Sequence, residues 1–418
     1  MKINKIKNNL ILSIFISFQF TGCEGSKPSE DQYIDPHIIF SSKRWWNYDI
    51  FIADIFGGNI TQLTKNRWID FNPSISPDGT KLTFISDRDG NREIYLFHLN
   101  WLDGYSQWVG NNLTNLTNSA ESDWTPVFSP IENKIAYSTY FPENDNYEIF
   151  IMNDDGTNKE NLTNTSSYEK FPQFSPDGSF LIYQGWQKGK MEIFFINLLD
   201  RNNTNITRNV KSNDIISHGN SFSADGQSIV FTSDRDGNRN IYTMRLNGTD
   251  LKQITSNSFN DYEPIFSPDG ESIIFTSERD GNKEIYIYSL ISKKIKNLTE
   301  NSGDDWNPRF YPDGRKIIFQ STRDGDWEIY LMNLDGKYQR NLSNHPATDY
   351  NYVVLPLNEM ENAAKKLNIR YACEIFADRN YEDNGQLVSR SKNYASINDP
   401  NLISANILEM LENSYIKC

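Results

Sequence analysis

The stretch that decides the fold of this chain is Phe266-Ser-Pro-Asp-Gly-Glu-Ser-Ile-Ile-Phe-Thr-Ser-Glu-Arg-Asp-Gly-Asn-Lys-Glu-Ile-Tyr-Ile-Tyr-Ser-Leu290. It contains two turn signals. Pro268-Asp269-Gly270 has the order that a type I turn followed by a left-handed residue prefers, and Asp280-Gly281-Asn282 is typical of a hairpin tip. The segments 272–277 and 284–290 are rich in β-branched and aromatic residues, which favour strands. The stretch therefore predicts a meander of antiparallel strands.

The same pattern recurs along the chain. Close copies occupy 75–99, 222–246 and 310–334, and looser copies occupy 128–153 and 174–197. Each unit ends in Leu-Thr or an equivalent pair, and a polar, mostly acidic residue opens the next unit at intervals of 44 to 53 residues. A period of about 40–50 residues with four strands per unit is typical of a β-propeller. The sequence thus predicts an all-β propeller of four-stranded blades.

The two ends of the repeat region complement each other. Residues 34–64 resemble the later strands of a blade but lack its opening strand, and residues 349–355 supply that strand. Joining the two would close the ring and remove exposed sheet edges. Six complete blades and one composite blade give seven. A six-bladed ring with a loose N-terminal hairpin is the alternative.

The repeat resembles that of the TolB-type propellers. The shared pattern is Ser-Pro-Asp-Gly followed by Ser-Asp-Arg-Asp-Gly-Asn-x-Glu-Ile-Tyr, and the resemblance covers 34–356. It implies a propeller in the bacterial periplasm with a protein partner in the cell envelope. It is specific for fold and much less so for function, because such sheets carry many activities.

Composition narrows the range of partners. The chain has 55 acidic and 41 basic residues, a net charge of −14. This balance argues against binding to nucleic acid, which requires a basic surface, and disfavours attraction to anionic lipid headgroups. The three cysteines, Cys23, Cys373 and Cys418, lie outside the repeats, so no disulfide framework is expected in the propeller.

The N-terminus has the pattern of an export signal. Lys2, Lys5 and Lys7 precede an apolar segment at 10–20 that is too short to span a bilayer comfortably. The segment ends in Phe20-Thr21-Gly22-Cys23, which resembles a bacterial lipobox. Residues 1–23 are therefore predicted to be a lipoprotein signal peptide with Cys23 as the lipidated residue, and 24–33 a polar tether. An ordinary secretory signal is the alternative, and the membrane is otherwise not expected to be a partner.

The pattern changes after the propeller. Residues 357–418 predict a short α/β fragment, with an N-cap at Asp399 and proline at the first helical position, Pro400. The runs Glu374-Ile-Phe-Ala-Asp-Arg-Asn-Tyr381 and Gly385-Gln-Leu-Val-Ser-Arg390 resemble the LamB/YcsF family, which supplies one of the subunits of bacterial 5-oxoprolinase. Only part of that family's barrel is represented, and a fragment cannot bury a barrel core. We interpret it as a non-catalytic fusion remnant; a tolerated new appendage is the alternative.

Other candidate sites are weak. The Asp-Arg-Asp-Gly-Asn turns at 87–91 and 234–238 suggest calcium loops, but they lack the remaining acidic ligands. We expect their Asp side chains to bond amides of their own turns. The histidines do not have metal-binding spacing; they are His37, His98, His218 and His345. The chain has no Gly-x-Ser-x-Gly motif of a serine hydrolase. The sequence predicts no catalytic residue, no metal and no cofactor.

The residues that open the innermost strands form a more informative set. Acids at these positions, each followed mostly by an aromatic residue, are expected to ring one mouth of the central channel, where they could bind a ligand. The predicted ligand-binding residues are Asp70, Asp123, Trp124, Glu169, His218, Asp261, Tyr262, Asp305, Trp306 and Asp349. The alternative is that each acid caps a turn between blades and each aromatic residue packs between them.

These observations predict a non-enzymatic lipoprotein, periplasmic or on the outer membrane, whose propeller binds an envelope protein or a glycan or peptidoglycan-associated partner. The alternative is an enzyme. A bound divalent metal with clustered histidines would favour a sugar lyase, and an extended reading frame that restores a whole barrel would favour a 5-oxoprolinase.

Overall fold

The computed structural model describes residues 37–44, 46–102, 107–208 and 220–356. They form seven four-stranded antiparallel sheets, so the prediction of a seven-bladed all-β propeller is confirmed. No helix occurs in these ranges, and none there could cross a membrane. Cys23, His218 and the predicted fragment at 357–418 lie outside the described residues.

Each blade runs from its innermost to its outermost strand in chain order, except the first. Blade 1 contains β1 (His37–Ser42), β2 (Asp49–Asp54), β3 (Thr61–Gln62) and β28 (Asp349–Val354). Blade 2 contains β4 (Asp70–Ile75), β5 (Lys81–Ser86), β6 (Glu93–Leu102) and β7 (Gln107–Asn115). Blade 3 contains β8 (Ser122–Phe128), β9 (Lys134–Phe141), β10 (Asn146–Asn153) and β11 (Glu160–Asn161). Blade 4 contains β12 (Glu169–Phe174), β13 (Phe180–Gln187), β14 (Lys190–Asn197) and β15 (Asn203–Asn205).

The remaining three blades follow the same order. Blade 5 contains β16 (Asn220–Phe222), β17 (Ser228–Ser233), β18 (Asn240–Arg245) and β19 (Lys252–Gln253). Blade 6 contains β20 (Asp261–Phe266), β21 (Ser272–Ser277), β22 (Glu284–Ser289) and β23 (Ile295–Asn297). Blade 7 contains β24 (Asp305–Phe310), β25 (Lys316–Ser321), β26 (Glu328–Asn333) and β27 (Arg340–Asn341).

Blade 1 is closed by both ends of the repeat region, as the sequence predicts. Strand β28 pairs antiparallel with β1, placing Ile39 opposite Val353 and Ser42 opposite Asp349. The ladder joins residues more than 300 positions apart and removes two edges that would otherwise be open to other strands.

The core lies between blades. Ile273 and Phe275 of β21 pack with Val230 and Ile241 of blade 5, whereas Ile274 packs with residues of blade 7 that include Ile317. Successive side chains of a strand point to opposite faces, so each blade contributes to two cores. This explains why the inner strands read as continuous apolar runs, as strands buried on both faces do.

The two turn motifs lie at opposite ends of the blades. The Ser-Pro-Asp-Gly turn joins the first and second strands: the φ of Gly270 is 72°, and Asp269 Oδ1 accepts a hydrogen bond from the backbone N–H of Glu271 at 2.9 Å. The Asp280–Asn282 turn joins the second and third strands. It lies at the end where the innermost strands begin, which we call the mouth face.

Every innermost strand that is described from its acidic residue onward contains a bulge. Its ladder skips two residues after the second position, and the third residue has a positive φ; these residues are Asn72, Thr125, Phe171, Glu263, Asn307 and Asn351. In five of the six, proline follows and cannot donate to the ladder. The extra residue reverses the faces that the neighbouring side chains would otherwise occupy.

Candidate functional site

The Leu-Thr pairs that end the blades hold the start of the third strand. Thr299 Oγ1 donates a hydrogen bond to the carboxylate of Glu284 and accepts one from the backbone N–H of Ile285 at 2.9 Å. The backbone contact recurs in all seven blades; the accepting hydroxyls are those of Thr64, Thr117, Thr163, Thr207, Thr255, Thr299 and Ser343. These hydroxyls therefore fasten the outermost strand of each blade to its third strand.

The predicted rim carboxylates are buried at the blade junctions. Asp70, Asp261, Asp305 and Asp349 are 0 % exposed, Asp123 is 1 % exposed and Glu169 is 3 % exposed. Each lies beneath the loop that enters its blade; Asn301, for example, donates a hydrogen bond from Nδ2 to Asp305 Oδ2 at 2.6 Å. Direct contact of these carboxylates with a ligand stays a prediction.

Three of these carboxylates are paired with an arginine of the Asp-Arg-Asp-Gly turn or of its variants that begin with Glu or Thr. We call these pairs the arginine latches. They are Arg88–Asp70 at 3.0 Å, Arg279–Asp261 at 3.1 Å and Arg323–Asp305 at 3.0 Å. The Arg279 guanidinium also donates to Ser277 Oγ at 2.8 Å and lies 4.4 Å from the ring centroid of Tyr286. A buried carboxylate is thus compensated by a stacked guanidinium whose Nη2 alone donates to both carboxylate oxygens.

Blades 3 and 4 lack the arginine latch. Phe141 and Gln187 occupy the register position of the arginine. In blade 3, the ring centroids of Phe141 and Phe150 are 6.2 Å apart. Thr139 Oγ1 donates a hydrogen bond to Asp123 Oδ1 at 2.6 Å. In blade 4, Thr165 donates to one oxygen of Glu169 at 2.5 Å, and no donor among the described residues reaches the other oxygen, Oε2.

Burial without a latch raises the pKa of these acids. Burial raises the pKa of Asp123 to about 7, with a smaller contribution from Glu93. Burial, followed by the nearby Glu148, raises the pKa of Glu169 to about 8. Burial also raises the pKa of Asp349 to about 6, which the Arg44 charge partly offsets. Glu169 is therefore largely protonated at neutral pH.

The turn aspartates are structural, but with different partners from those predicted. Asp89, Asp236, Asp280 and Asp324 accept hydrogen bonds from the hydroxyls of Tyr95, Tyr242, Tyr286 and Tyr330. The prediction for the turns at 87–91 and 234–238, that the Asp side chains bond amides of their own turn, is wrong for the contacts of Asp89 and Asp236. The Tyr lies six residues further along the chain and comes into reach only when the third strand returns beside the turn. No group of metal-binding side chains occurs in the described ranges.

Aromatic residues surround the mouth face. Among the predicted residues, Trp124 and Trp306 are half-buried and Tyr262 is 8 % exposed. They contact aromatic neighbours on adjacent blades: the ring centroids of Tyr262 and Trp306 are 5.2 Å apart, and those of Trp124 and Phe71 are 6.1 Å apart. The predicted packing between blades therefore describes these rings.

Five basic side chains that were not among the predicted binding residues lie on aromatic rings of the mouth face. We call Lys43, Arg92, Lys170, Arg239 and Lys283 the cation ring. Their charged groups lie 5.9 Å from the Tyr48 centroid, 3.9 Å from Trp124, 3.4 Å from Tyr147, 5.2 Å from Tyr262 and 4.4 Å from Trp306, respectively. Such contacts are attractive, since the ring face is electronegative. One signal was present: Arg92, Arg239 and Lys283 each directly follow the Asn of a turn.

Comparisons with known proteins agree with this architecture. The model of the TolB beta propeller domain matches residues 105–264 and 252–360, which is more than half of the chain. A protein TolB homolog of Chlorobium luteolum is 28% identical over 162 residues, covering 39% of this chain and 34% of that protein. The chain therefore spans about a third of that relative's length.

The C-terminal region has a separate match. Residues 342–418 match the LamB/YcsF family. A 5-oxoprolinase subunit from Campylobacter jejuni is 44% identical over 68 residues, covering 16% of this chain and 27% of that protein. The resemblance of this region to the family is thereby confirmed.

Among solved structures, oligogalacturonate lyase from Vibrio parahaemolyticus has a TM-score of 0.57 at 14% identity, covering 72% of this chain and 87% of that one. At this identity the likeness concerns the fold alone. The repeat, the seven closed blades and the extent of the family match together lead to one conclusion: the chain belongs to the TolB β-propeller domain family.

Proposed function

We propose that this protein is a non-catalytic component of the bacterial envelope that binds a partner protein at the mouth face. The observation that carries the proposal is the set of aromatic side chains with cations on their rings that the described residues place at the mouth, such as Arg92 on Trp124 and Lys283 on Trp306. Aromatic residues and arginine dominate the energetics of protein interfaces. Membership of the TolB propeller family supports the envelope setting.

The buried acids have a supporting role in this proposal. The arginine latches fix the turns between the second and third strands, and the cation ring residues Arg92 and Lys283 follow those turns directly. A site built on fixed turns loses less conformational entropy when it binds. We therefore assign recognition to the aromatic and cationic side chains and positioning to the carboxylates.

Site-specific photo-crosslinking in cells tests this function. A photoreactive phenylalanine analogue placed at position 306 should give a discrete adduct with an envelope protein, identifiable by mass spectrometry. The control is position 291, because Ile291 is 71 % exposed in the turn after β22, at the end of the blades opposite the mouth. Equal adduct patterns at the two positions, or none at 306, would contradict mouth-face binding.

We further propose that Cys23 carries the lipid anchor. This proposal rests on the positive n-region, the short apolar segment and the lipobox-like Phe20-Thr21-Gly22-Cys23. Intact mass of the protein from its native membrane fraction should show a lipid-modified chain that starts at Cys23. An unmodified mass would return the protein to the soluble periplasm, and a mass that lacks residues beyond 357 would show the C-terminal fragment to be dispensable.

The enzyme alternative has its own test. Purified protein incubated with oligogalacturonate and a divalent cation should release no unsaturated sugar product, measured by ultraviolet absorbance. The same preparation should not hydrolyse 5-oxoproline. Turnover of either substrate would replace the binding function with a catalytic one.

A further inference from the structure

We propose that the mouth face takes an acidic, extended segment of its partner protein, and that the cation ring sets this preference. The inference rests on the function proposed above and adds the chemical class of the ligand. It reverses the sign expected from the sequence, which placed carboxylates at the rim. The structure buries those carboxylates and leaves ammonium and guanidinium groups beside the channel.

The members of the cation ring form no close ion pair in the part of the chain that the structure describes. Within the ranges that the structure describes, the ion pairs within 4.0 Å involve eight other basic residues, and none involves the ring. Burial lowers the pKa of Arg92, with Asp87 acting in the opposite direction. A partly desolvated cation without a close counter-charge favours an incoming anion.

Two of the nearby acids are engaged in hydrogen bonds, whereas a third, Glu263, lies near Lys283 and Arg309, and burial raises its pKa to about 7. Asp87 Oδ1 accepts a hydrogen bond from the backbone N–H of Ile69 at 2.8 Å. Glu278 accepts one from the Tyr262 hydroxyl at 2.9 Å and another from Asn260 at 3.1 Å. The hydrogen bonds of Asp87 and Glu278 direct these two carboxylates toward the protein and away from the cations. In a chain with a net charge of −14, this concentration of positive charge is a local exception.

The position of the cations favours a peptide over a sugar. A pyranose binds an aromatic residue by lying on its ring face, but Arg92 covers one face of Trp124 at 3.9 Å and Lys170 covers one face of Tyr147 at 3.4 Å. A sugar would have to displace the cation from that face, whereas a carboxylate side chain of a peptide can pair with the cation where it lies.

The innermost strands add groups suited to a peptide backbone. One position beyond the mouth aromatics, Asn72 and Asn351 have positive φ angles on the bulges of β4 and β28. A carboxamide offers both a donor and an acceptor, so it can pair with the C=O and N–H of an extended segment. An acidic extended segment therefore matches both the ring and the strands behind it.

Binding of defined peptides by the purified full chain tests the inference. The probe is a short fluorescein-labelled peptide of alternating Glu and Gly, and its matched control has Gln in place of Glu. In fluorescence anisotropy at low salt we expect the Glu peptide to bind about tenfold or more tightly than the Gln peptide, with affinity falling as salt increases. Oligogalacturonate serves as the anionic sugar for comparison.

Paired variants locate the effect. Arg92→Gln with Lys283→Gln removes two ring charges from the mouth, whereas Lys252→Gln with Lys337→Gln removes two exposed charges elsewhere. The first pair should weaken binding of the Glu peptide about tenfold and the second should leave it unchanged. If the first pair does not fold, the comparison of peptides on the wild-type chain still decides the question.

Three results would overturn the inference: equal affinity for both peptides, no binding of either, or tight binding of oligogalacturonate alone. Each is distinguishable from failure of the proposed function. A discrete adduct from position 306 with any of these results would keep partner binding and reject the acidic segment. Absence of that adduct would reject the function itself.

Discussion

Blades 2, 6 and 7 differ from blades 3 and 4 in how they neutralise the same buried acid. In the first group an arginine of the turn pairs with the opening aspartate and stacks on a tyrosine, as Arg323 does on Tyr330 at 4.6 Å. In the second group the arginine, the tyrosine and the turn motif are all replaced. Blade 3 satisfies Asp123 with a hydroxyl, and blade 4 leaves Glu169 Oε2 without a donor.

The difference shows that the same blade geometry can accommodate its buried acid either with an ion pair or without one. An ion pair keeps the carboxylate charged, whereas burial alone favours the protonated form. The surface changes too: beside blades 3 and 4 lie three tyrosines in contact, with 4.7 Å between the centroids of Tyr140 and Tyr147 and between those of Tyr147 and Tyr168. Departures from a repeated local pattern often mark functional regions. The tyrosines beside blades 3 and 4 include Tyr147, whose ring centroid lies 3.4 Å from the Lys170 ammonium.

The largest expected effect comes from breaking a latch. Arg279→Met keeps the aliphatic stem but leaves Asp261, which is 0 % exposed, without its guanidinium. We expect the free energy of unfolding to fall by about 3–5 kcal/mol, measured by urea denaturation. Lys252→Met is the control, since Lys252 and Asp250 form an exposed pair at 2.8 Å. An equal loss in the two variants would show that the latch is no more important than a surface pair.

The second prediction concerns blade 4 and pH. Because the pKa of Glu169 is about 8 in the folded protein against an ordinary value of 4.5, folding binds a proton between these values. Stability should therefore fall as pH rises from 4.5 to 8. In Glu169→Gln this part of the decrease disappears, so relative to wild type the variant should gain roughly 4–5 kcal/mol in the free energy of unfolding between low and high pH.

Urea denaturation across pH measures this difference, and other buried acids contribute equally to both proteins. The control is Glu160→Gln in blade 3. Its hydrogen bond with Arg201 lowers the pKa of Glu160, so the substitution should leave the slope at neutral pH unchanged. If Glu169→Gln has the same slope as wild type, blade 4 does not protonate its acid.

The third prediction tests a contact that both groups of blades share. Thr299→Val removes the hydroxyl that bonds Glu284 and the N–H of Ile285. Both partners are buried, so we expect a loss of about 2 kcal/mol in the free energy of unfolding. Thr163→Val should cost a similar amount in blade 3, because Thr163 makes the same contacts with Glu148 and Ile149. The exposed control Thr249→Val should leave the free energy of unfolding unchanged. A comparable loss in this control would show that the hydroxyl contact between the outermost and third strands has no special role.

The smallest expected effect concerns the tyrosine of the latched blades. Tyr286→Phe removes the hydroxyl that bonds Asp280 and should cost about 1 kcal/mol. Phe150 and Phe194 already occupy this register position in blades 3 and 4. Tyr338→Phe is the control, as Tyr338 is 77 % exposed. A neutral result for Tyr286→Phe in thermal unfolding would show that the hydroxyl contact is dispensable.

Much of the fold could be predicted because the same turn and strand signals recur in several copies of the repeat. The Ser-Pro-Asp-Gly turns, the hairpins and the missing first strand of blade 1 are local patterns, and β28 pairs with β1 as expected. The partners of the turn aspartates could not be predicted in the same way. Tyr95 reaches Asp89 only through the return of the third strand beside the turn.

The sequence predicted which residues open the innermost strands but not which of them the structure buries. The residues that open the innermost strands do gather at the mouth face, yet spacing along a strand does not say which side chain faces solvent. The bulge at residues such as Asn307 changes the faces of its neighbours, and the loop before each strand closes over the acid. Burial of the carboxylate and exposure of the cation follow from this packing.

The amino-acid sequence by itself determined the four-stranded blades and their strand order, because turn chemistry and strand alternation act over a few residues. It favoured seven blades but left six open, and the pairing of β28 with β1 decided between them. Only the tertiary structure decided the charge of the mouth. That charge depends on contacts between strands and between neighbouring blades, which bury Asp70, Asp261 and Asp305 and leave Arg92 and Lys283 resting on aromatic rings. Desolvation and pairing of charges are properties of the packed ring and are absent from any single repeat.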